Sequence, residues 1–195
     1  DIKGKVEGKP IFELLGGAAQ PRVVPYASLQ PAGGSFEAYR DSLCDWAARA
    51  VDSGFRAVKA EVTMNGPYAH SGLDEPFERH TEVVAAVRHS IGPDIALMVD
   101  VQYLWSEAET ALKTVSEWGE FDLTFLETPI WTDHLDEYAR LHDQAPMPLA
   151  AGEWLSTRWE FAELMDRGKI DVAQPDVGRV GGLGEAMRVC DMARE

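Results

Sequence analysis

Three stretches decide the fold: Ile95-Ala-Leu-Met-Val-Asp100, Phe121-Asp-Leu-Thr-Phe-Leu-Glu127 and Pro148-Leu-Ala-Ala-Gly-Glu153. Each is a short apolar run that ends in an acid. The acids stand 27 and 26 residues apart, enough for one strand, one helix and two loops per step, which is the repeat of a βα unit. Wound as a barrel of parallel strands, such units bring successive strand ends together at one rim, so acids distant in sequence converge. Any one of them alone reads as a solvated residue where a strand meets a loop. Three in register are a candidate cation site, because carboxylates repel unless a cation lies between them. An oxygen-only donor set favours Mg²⁺ first and Mn²⁺ second over zinc.

Outward from these runs the pattern alternates. A short helix spans 9 to 15, closed by Gly16-Gly17. Strands are predicted at 23–27, 55–62, 95–100, 121–127, 148–153 and 170–175, and helices at 36–53, 74–91, 106–118, 134–144, 157–167 and 183–194. Six strands, each followed by a helix, make an α/β fold with a parallel sheet. An open doubly wound sheet concentrates its chemistry at one switch point. Here polar residues end nearly every strand, Lys59 and Glu61, Asp100, Glu127, Glu153 and Asp176, so a TIM-type barrel is preferred. Six strands do not close an eight-stranded barrel, and strands seven and eight are expected beyond the chain.

In Phe55-Arg-Ala-Val-Lys-Ala-Glu-Val62 the period of two puts Ala57, Lys59 and Glu61 on one face and Val58, Ala60 and Val62 on the other. The apolar face meets the helices, leaving Lys59 and Glu61 in the barrel mouth. A structural salt bridge between those two is one reading. The other is that Lys59 holds an anionic substrate or, with a depressed pKa, accepts a proton.

The chain has 195 residues, 45 % of them hydrophobic, which suffices for one sizeable core, and no run approaches the ~20 apolar residues of a membrane span. A formal charge of −15 disfavours nucleic acid and anionic lipid as partners. Cys44 and Cys190 lie in separate helical segments without a motif spacing, as reduced and mostly buried thiols do, and a cytoplasmic location follows as the default. The glycines Gly178, Gly181, Gly182 and Gly184 fit neither a dinucleotide fingerprint nor a P-loop. Segment 64–72 has the turn composition of a substrate-facing loop or of a plain connection. None of His70, His80, His89, His134 and His142 ends a predicted strand, so no catalytic histidine is assigned.

Several motifs together resemble the mandelate racemase / muconate lactonizing enzyme-like branch of the enolase superfamily. They are Asp1-Ile-Lys-Gly-Lys running to Leu-Leu-Gly-Gly17, Lys59-x-Glu61, Val-Asp100, Glu-Thr-Pro129, Ala-Gly-Glu153, and Gln174-Pro-Asp-Val-Gly-Arg-Val-Gly-Gly182. The resemblance implies a (β/α)₇β barrel, of which about six βα units are present. Residues 1–22 would lead from an N-terminal capping domain, and 23–195 would be the partial barrel with strands one to six. Asp100, Glu127 and Glu153 would bind Mg²⁺, which holds the carboxylate of a small-molecule sugar acid while its α-proton is removed. Asp176 would orient a histidine on strand seven, beyond Glu195; otherwise it is an ordinary helix-capping residue ahead of the glycine-rich turn. A homo-oligomer is expected of the whole protein.

Two departures shape the expected reaction. Relatives with a second base on strand two carry Lys-x-Lys, whereas this chain has Glu61, whose charge is expected to keep Lys59 protonated. Many relatives have Asn two residues after the first ligand, where this chain has Gln102, a candidate for a substrate hydroxyl. A lyase of the acid-sugar dehydratase type is therefore expected, removing the α-proton and the β-hydroxyl through an ene-diolate. A racemase or epimerase and a non-catalytic relative are the alternatives.

Overall fold

The computed structural model describes residues 2–17, 22–69 and 71–194. Asp1 of the opening motif, residues 18–21 of the expected linker, His70 and Glu195 lie outside the described residues. The chain opens with two short helices, α1 (Ile2–Glu7) and α2 (Ile11–Leu14), where one helix over 9–15 was expected. The break between them has a local cause. Gly8 takes a left-handed conformation (φ 64°) and Lys9 N–H returns to the Gly4 carbonyl at 3.0 Å, the hydrogen-bond pattern that ends a helix at glycine.

Six βα units follow. They are β1 (Ala27–Leu29) and α3 (Phe36–Asp52), β2 (Ala57–Glu61) and α4 (Glu78–Ile91), β3 (Ala96–Asp100) and α5 (Ala108–Val115), β4 (Leu123–Glu127) and α6 (Leu135–His142), β5 (Leu149–Ala151) and α7 (Arg158–Asp166), and β6 (Val172–Ala173) and α8 (Leu183–Met192). A 3-10 turn, Ser116–Phe121, completes the step from α5 to β4. The strands form one parallel sheet in the order β1-β2-β3-β4-β5-β6. A strictly sequential order with right-handed crossovers places every helix on the same face, which is the wall of a barrel and not a doubly wound sheet.

Several boundaries differ from the sequence expectation: β5 stops at Ala151, short of the expected 153, α4 begins at Glu78 and not at 74, and the first and last strands change as follows. The first strand lies at Ala27–Leu29 and not at 23–27, and Val23 and Val24 remain about four-fifths exposed. Pro25 has no N–H to give a ladder, so the hydrophobic pair before it does not join the sheet. The last strand shrinks from 170–175 to Val172–Ala173, bounded by Lys169 in the left-handed region (φ 59°) and by Pro175.

The core lies between the outer face of the sheet and the helices. Val58, Ala60 and Val62 alternate outward on and just beyond β2, and they meet Tyr39, Leu43, Ala47 and Ala50 of α3 and Val83, Val84 and Val87 of α4. The helical spacing of three and four explains why these faces are continuous, and each large apolar side chain so buried contributes about 1.5–3 kcal/mol. Helix starts are fixed by side chains. Ser35 accepts from Ala38 N–H, and Thr157 and Glu160 form a reciprocal capping box on α7. Among the described residues no helix is long and apolar enough to cross a membrane.

Candidate active site

The register of the sheet builds the site. Glu61 of β2 pairs level with Asp100 of β3, and Asp100 pairs level with Glu127 of β4, so three acids occupy one row at the strand ends. All three are buried. The period of two turns Lys59 toward the same interior. Its Nζ lies 2.6 Å from Glu127 Oε1 and 3.4 Å from Asp100 Oδ2, with the lysine side chain 12 % exposed. Lys59 does not pair with Glu61. The reading of a Lys59–Glu61 salt bridge is thus set aside: the lysine side chain reaches along and across the sheet to Asp100 and Glu127, and Glu61 accepts from Thr63 Oγ1 instead.

The electrostatics follow from this packing. Burial alone lowers the Lys59 pKa, but the Asp100 charge and the Glu127 hydrogen bond and charge hold it above its ordinary value. Lys59 is a cation here, and the charges that keep it so are Asp100 and Glu127, where Glu61 was expected to do it. Burial raises the Glu127 carboxyl, the Asp100 charge raises it further, and Lys59 opposes both.

Asp100 is held in place by its surroundings. Its Oδ1 accepts from Gln102 N–H at 3.0 Å and from Thr128 Oγ1 at 2.9 Å, which leaves Oδ2 toward Lys59. Gln102 contributes through its main chain, and its side chain makes no hydrogen bond among the described residues. Gln102 (φ 45°), Tyr103 (φ 61°) and Thr128 (φ 46°) all occupy the left-handed region. For a β-branched threonine this is a costly conformation, retained where the hydroxyl must reach the acid. Sequence reasoning missed Thr128, although Glu-Thr-Pro129 was in view. It missed as well the ring pair Tyr103 and Trp131, stacked with centroids 4.3 Å apart, with Tyr68 edge-on to both.

Glu153 stands apart from the row. Glu127 pairs with Ala150, β5 ends at Ala151, and Glu153 comes two residues after the strand. The turn at Gly152 (φ 114°) takes it out of the strand, and its Oε1 accepts from Trp154 Nε1 at 2.9 Å and from Tyr103 OH at 3.5 Å. Among the described residues no three His, Cys, Asp or Glu side chains stand together as a metal site. The donors nonetheless suit a hard cation. They are all oxygens, and Glu127 Oε2 is buried with no hydrogen-bond partner, an acceptor that an incoming cation would satisfy. Gln174 lies beside it, its own Oε1 likewise buried and unpartnered.

Asp176 is exposed just beyond β6. Its Oδ1 accepts from Gly178 N–H at 2.7 Å and Arg179 N–H at 3.1 Å, so it holds the turn after β6, whereas the helix-capping position expected of it belongs to Gly182 at the start of α8. Oδ2 is uncommitted among the described residues.

A sequential parallel wall with a row of acids and a lysine at its strand ends belongs to the TIM-type barrels. Comparison with known proteins makes the class definite: the model of the enolase C-terminal domain-like family matches residues 42–195, and the chain belongs to that family. It is 34 % identical to an arabinonate dehydratase of Saccharolobus solfataricus over 100 % of this chain and 48 % of that protein. A D-galactarolactone cycloisomerase of Agrobacterium fabrum is 31 % identical over 99 % of this chain and 48 % of its own length. A D-galactonate dehydratase of Verminephrobacter eiseniae is 30 % identical over 99 % and 48 %. Among solved structures, an enolase from Bradyrhizobium complexed with magnesium and mandelic acid superposes with a TM-score of 0.80 at 28 % identity, over 98 % of this chain and 48 % of that one. The chain spans about half the length of the curated relatives it matches.

Proposed function

We propose that the whole protein is a Mg²⁺-dependent hydro-lyase that dehydrates a sugar acid to a 2-keto-3-deoxy acid in the cytoplasm. The observation that carries this reading is Lys59 held between Asp100 and Glu127 at the strand ends. The dehydratases among the relatives support it. Asp100, Glu127 and Glu153 would hold the Mg²⁺, or Mn²⁺ in its place, Glu153 after its carboxylate leaves Trp154. Bound there, the ion supplies the positive field without which a proton α to a carboxylate is too weakly acidic to remove.

The chain's own residues then divide the work. Lys59, fixed as a cation, binds and orients the substrate carboxylate. Asp100 is immobilised by Gln102 N–H and Thr128 Oγ1, so the acidic row keeps its shape while substrate enters. Asp176 offers Oδ2 to orient the proton acceptor. The α-carbon loses its proton and the β-carbon loses hydroxyl as water, giving an enol that becomes the ketone. A lysine locked as a cation does not serve as a second base, which favours elimination over two-base racemisation.

The test is the full-length protein with Mg²⁺ and a panel of sugar acids that includes arabinonate and galactonate, run in D₂O. Release of a 2-keto acid is expected. Asp100→Asn and Glu127→Gln are each expected to lower the rate at least about 100-fold. Inversion at the α-carbon without keto product would replace the reading by a racemase. A product isomeric with its substrate apart from the deuterium taken up would replace it by a cycloisomerase, the activity for which the Agrobacterium fabrum relative is named.

A further inference from the structure

Glu61 is the one acid of the row that Lys59 leaves alone. It is 6 % exposed, it has no ion-pair partner among the described residues, and its only side-chain hydrogen bond there is from Thr63 Oγ1 to Oε1 at 3.0 Å. A carboxylate has room for about four such donors, and burial makes the unused capacity costly. The carboxylate lines a cavity of about 290 Å³ whose other polar side chains are Gln30, Thr63 and Ser71, with no lysine or arginine among its lining residues.

The walls of this cavity are rigid. Tyr39 OH donates to the Glu61 carbonyl at 3.1 Å and accepts from Thr63 N–H at 2.8 Å, which fastens the end of β2 to α3. The facing loop is tied to the same helix, because Ala32 N–H donates to Ser42 Oγ at 2.8 Å, and Ser42 Oγ in turn donates to the Tyr39 carbonyl at 2.8 Å. Gly33 (φ 121°) presses so close to Ala38 that a Cβ would come within 2.5 Å of the Ala38 methyl. A preformed polar cavity lined by Glu61, which stands one strand spacing or about 5 Å from Asp100, is suited to hold what lies beyond the reacting end of a substrate.

We infer that Glu61, with Gln30, Thr63 and Ser71, forms a subsite for the distal hydroxyls of a polyhydroxylated acid and determines specificity for it. A carboxylate accepts two neighbouring hydroxyls at once. The Gln30 amide and the Ser71 and Thr63 hydroxyls both donate and accept, as sugar hydroxyls require, whereas an ammonium group only donates. The inference rests on the sugar-acid reading of the site, and it gives Glu61 a binding role distinct from that of the lysine beside it.

The experiment is calorimetric titration of the full-length, Mg²⁺-loaded protein with arabinonate, which has distal hydroxyls, and with lactate, which has none. Glu61→Leu is expected to weaken arabinonate at least about tenfold and to leave lactate within about twofold. Glu61→Gln, close in shape and still able to accept from Thr63, is expected to fall between. Gln30→Leu, on an exposed position, is expected to repeat the selective loss without touching the buried row. Equal loss for both acids, or unchanged arabinonate binding in Glu61→Leu and Gln30→Leu, would overturn the subsite. Arabinonate binding that depends on Glu61 without any 2-keto acid formed leaves the subsite standing and removes the dehydratase. Dehydration by Glu61→Leu with unaltered arabinonate affinity does the reverse.

Discussion

Lys59→Met tests whether the lysine is holding the place of a second cation. In the fold, Lys59 Nζ is the only cation paired with Asp100 and Glu127 among the described residues, and both carboxylate side chains are less than a tenth exposed. Methionine keeps the length of the side chain and removes the charge, so two buried acids are left facing one another. Breaking a buried pair in this way typically costs about 3–5 kcal/mol. Urea unfolding of the full-length protein in a chelating buffer should therefore show a loss of that size. A bound cation stabilises by mass action, about 2.7 kcal/mol at a hundred times its Kd, so saturating Mg²⁺ should return much of the loss. Adding Glu127→Gln to Lys59→Met should also recover stability, since it removes one of the stranded charges. Catalysis should remain absent in every case, because the lysine that orients the substrate carboxylate is gone. A Lys59→Met protein as stable as wild type in chelator, with no response to Mg²⁺, would refute both the energetic role of the lysine and the placing of a cation here.

Two further predictions concern the frame. His80 is fully buried on α4 with neither ring nitrogen hydrogen-bonded, and burial takes its pKa from 6.5 down to about 4, the nearby Pro76 and Phe77 carbonyls opposing weakly. The folded state keeps it neutral where the unfolded state would protonate it. Its contribution is intact above pH 6.5 and is lost as pH falls from 6.5 to about 4, by about 3 kcal/mol in all. His80→Phe should flatten the urea midpoint over that window, and an unchanged slope would count against the assignment. Gly152→Ala should cost about 2–4 kcal/mol, because φ 114° excludes a side chain and its Cβ would come 2.4 Å from Phe161 Cε1. A thermal midpoint within a degree of wild type would show that the turn gives way easily.

The strands were legible in the sequence because each apolar run had a clear end, and the alternation in 55–62 named the inward residues Lys59 and Glu61 correctly. What remained hidden was level. Spacings of 27 and 26 residues look equivalent, yet they place Glu127 in register with Asp100 and set Glu153 three residues past Ala150. The difference arises from short β5 and from the turn at Gly152, and neither leaves a periodic trace. The partner of Lys59 was hidden for a related reason. Composition along one strand offers Glu61 as the neighbour, while the hydrogen-bonded ladder supplies Asp100 and Glu127 from the next two. Thr128 was read as part of a motif and not as a ligand of Asp100, because only its backbone angle reveals where its hydroxyl goes.

The strictly consecutive pairing of the strands orders events on the ribosome as well as in space. Synthesis itself runs from the N-terminus. The ammonium of β2 is therefore laid down first, Asp100 arrives on β3 beside it, and Glu127 arrives on β4 beside both. In that order of synthesis neither carboxylate of the Asp100–Glu127 pair is made before the lysine that pairs with both.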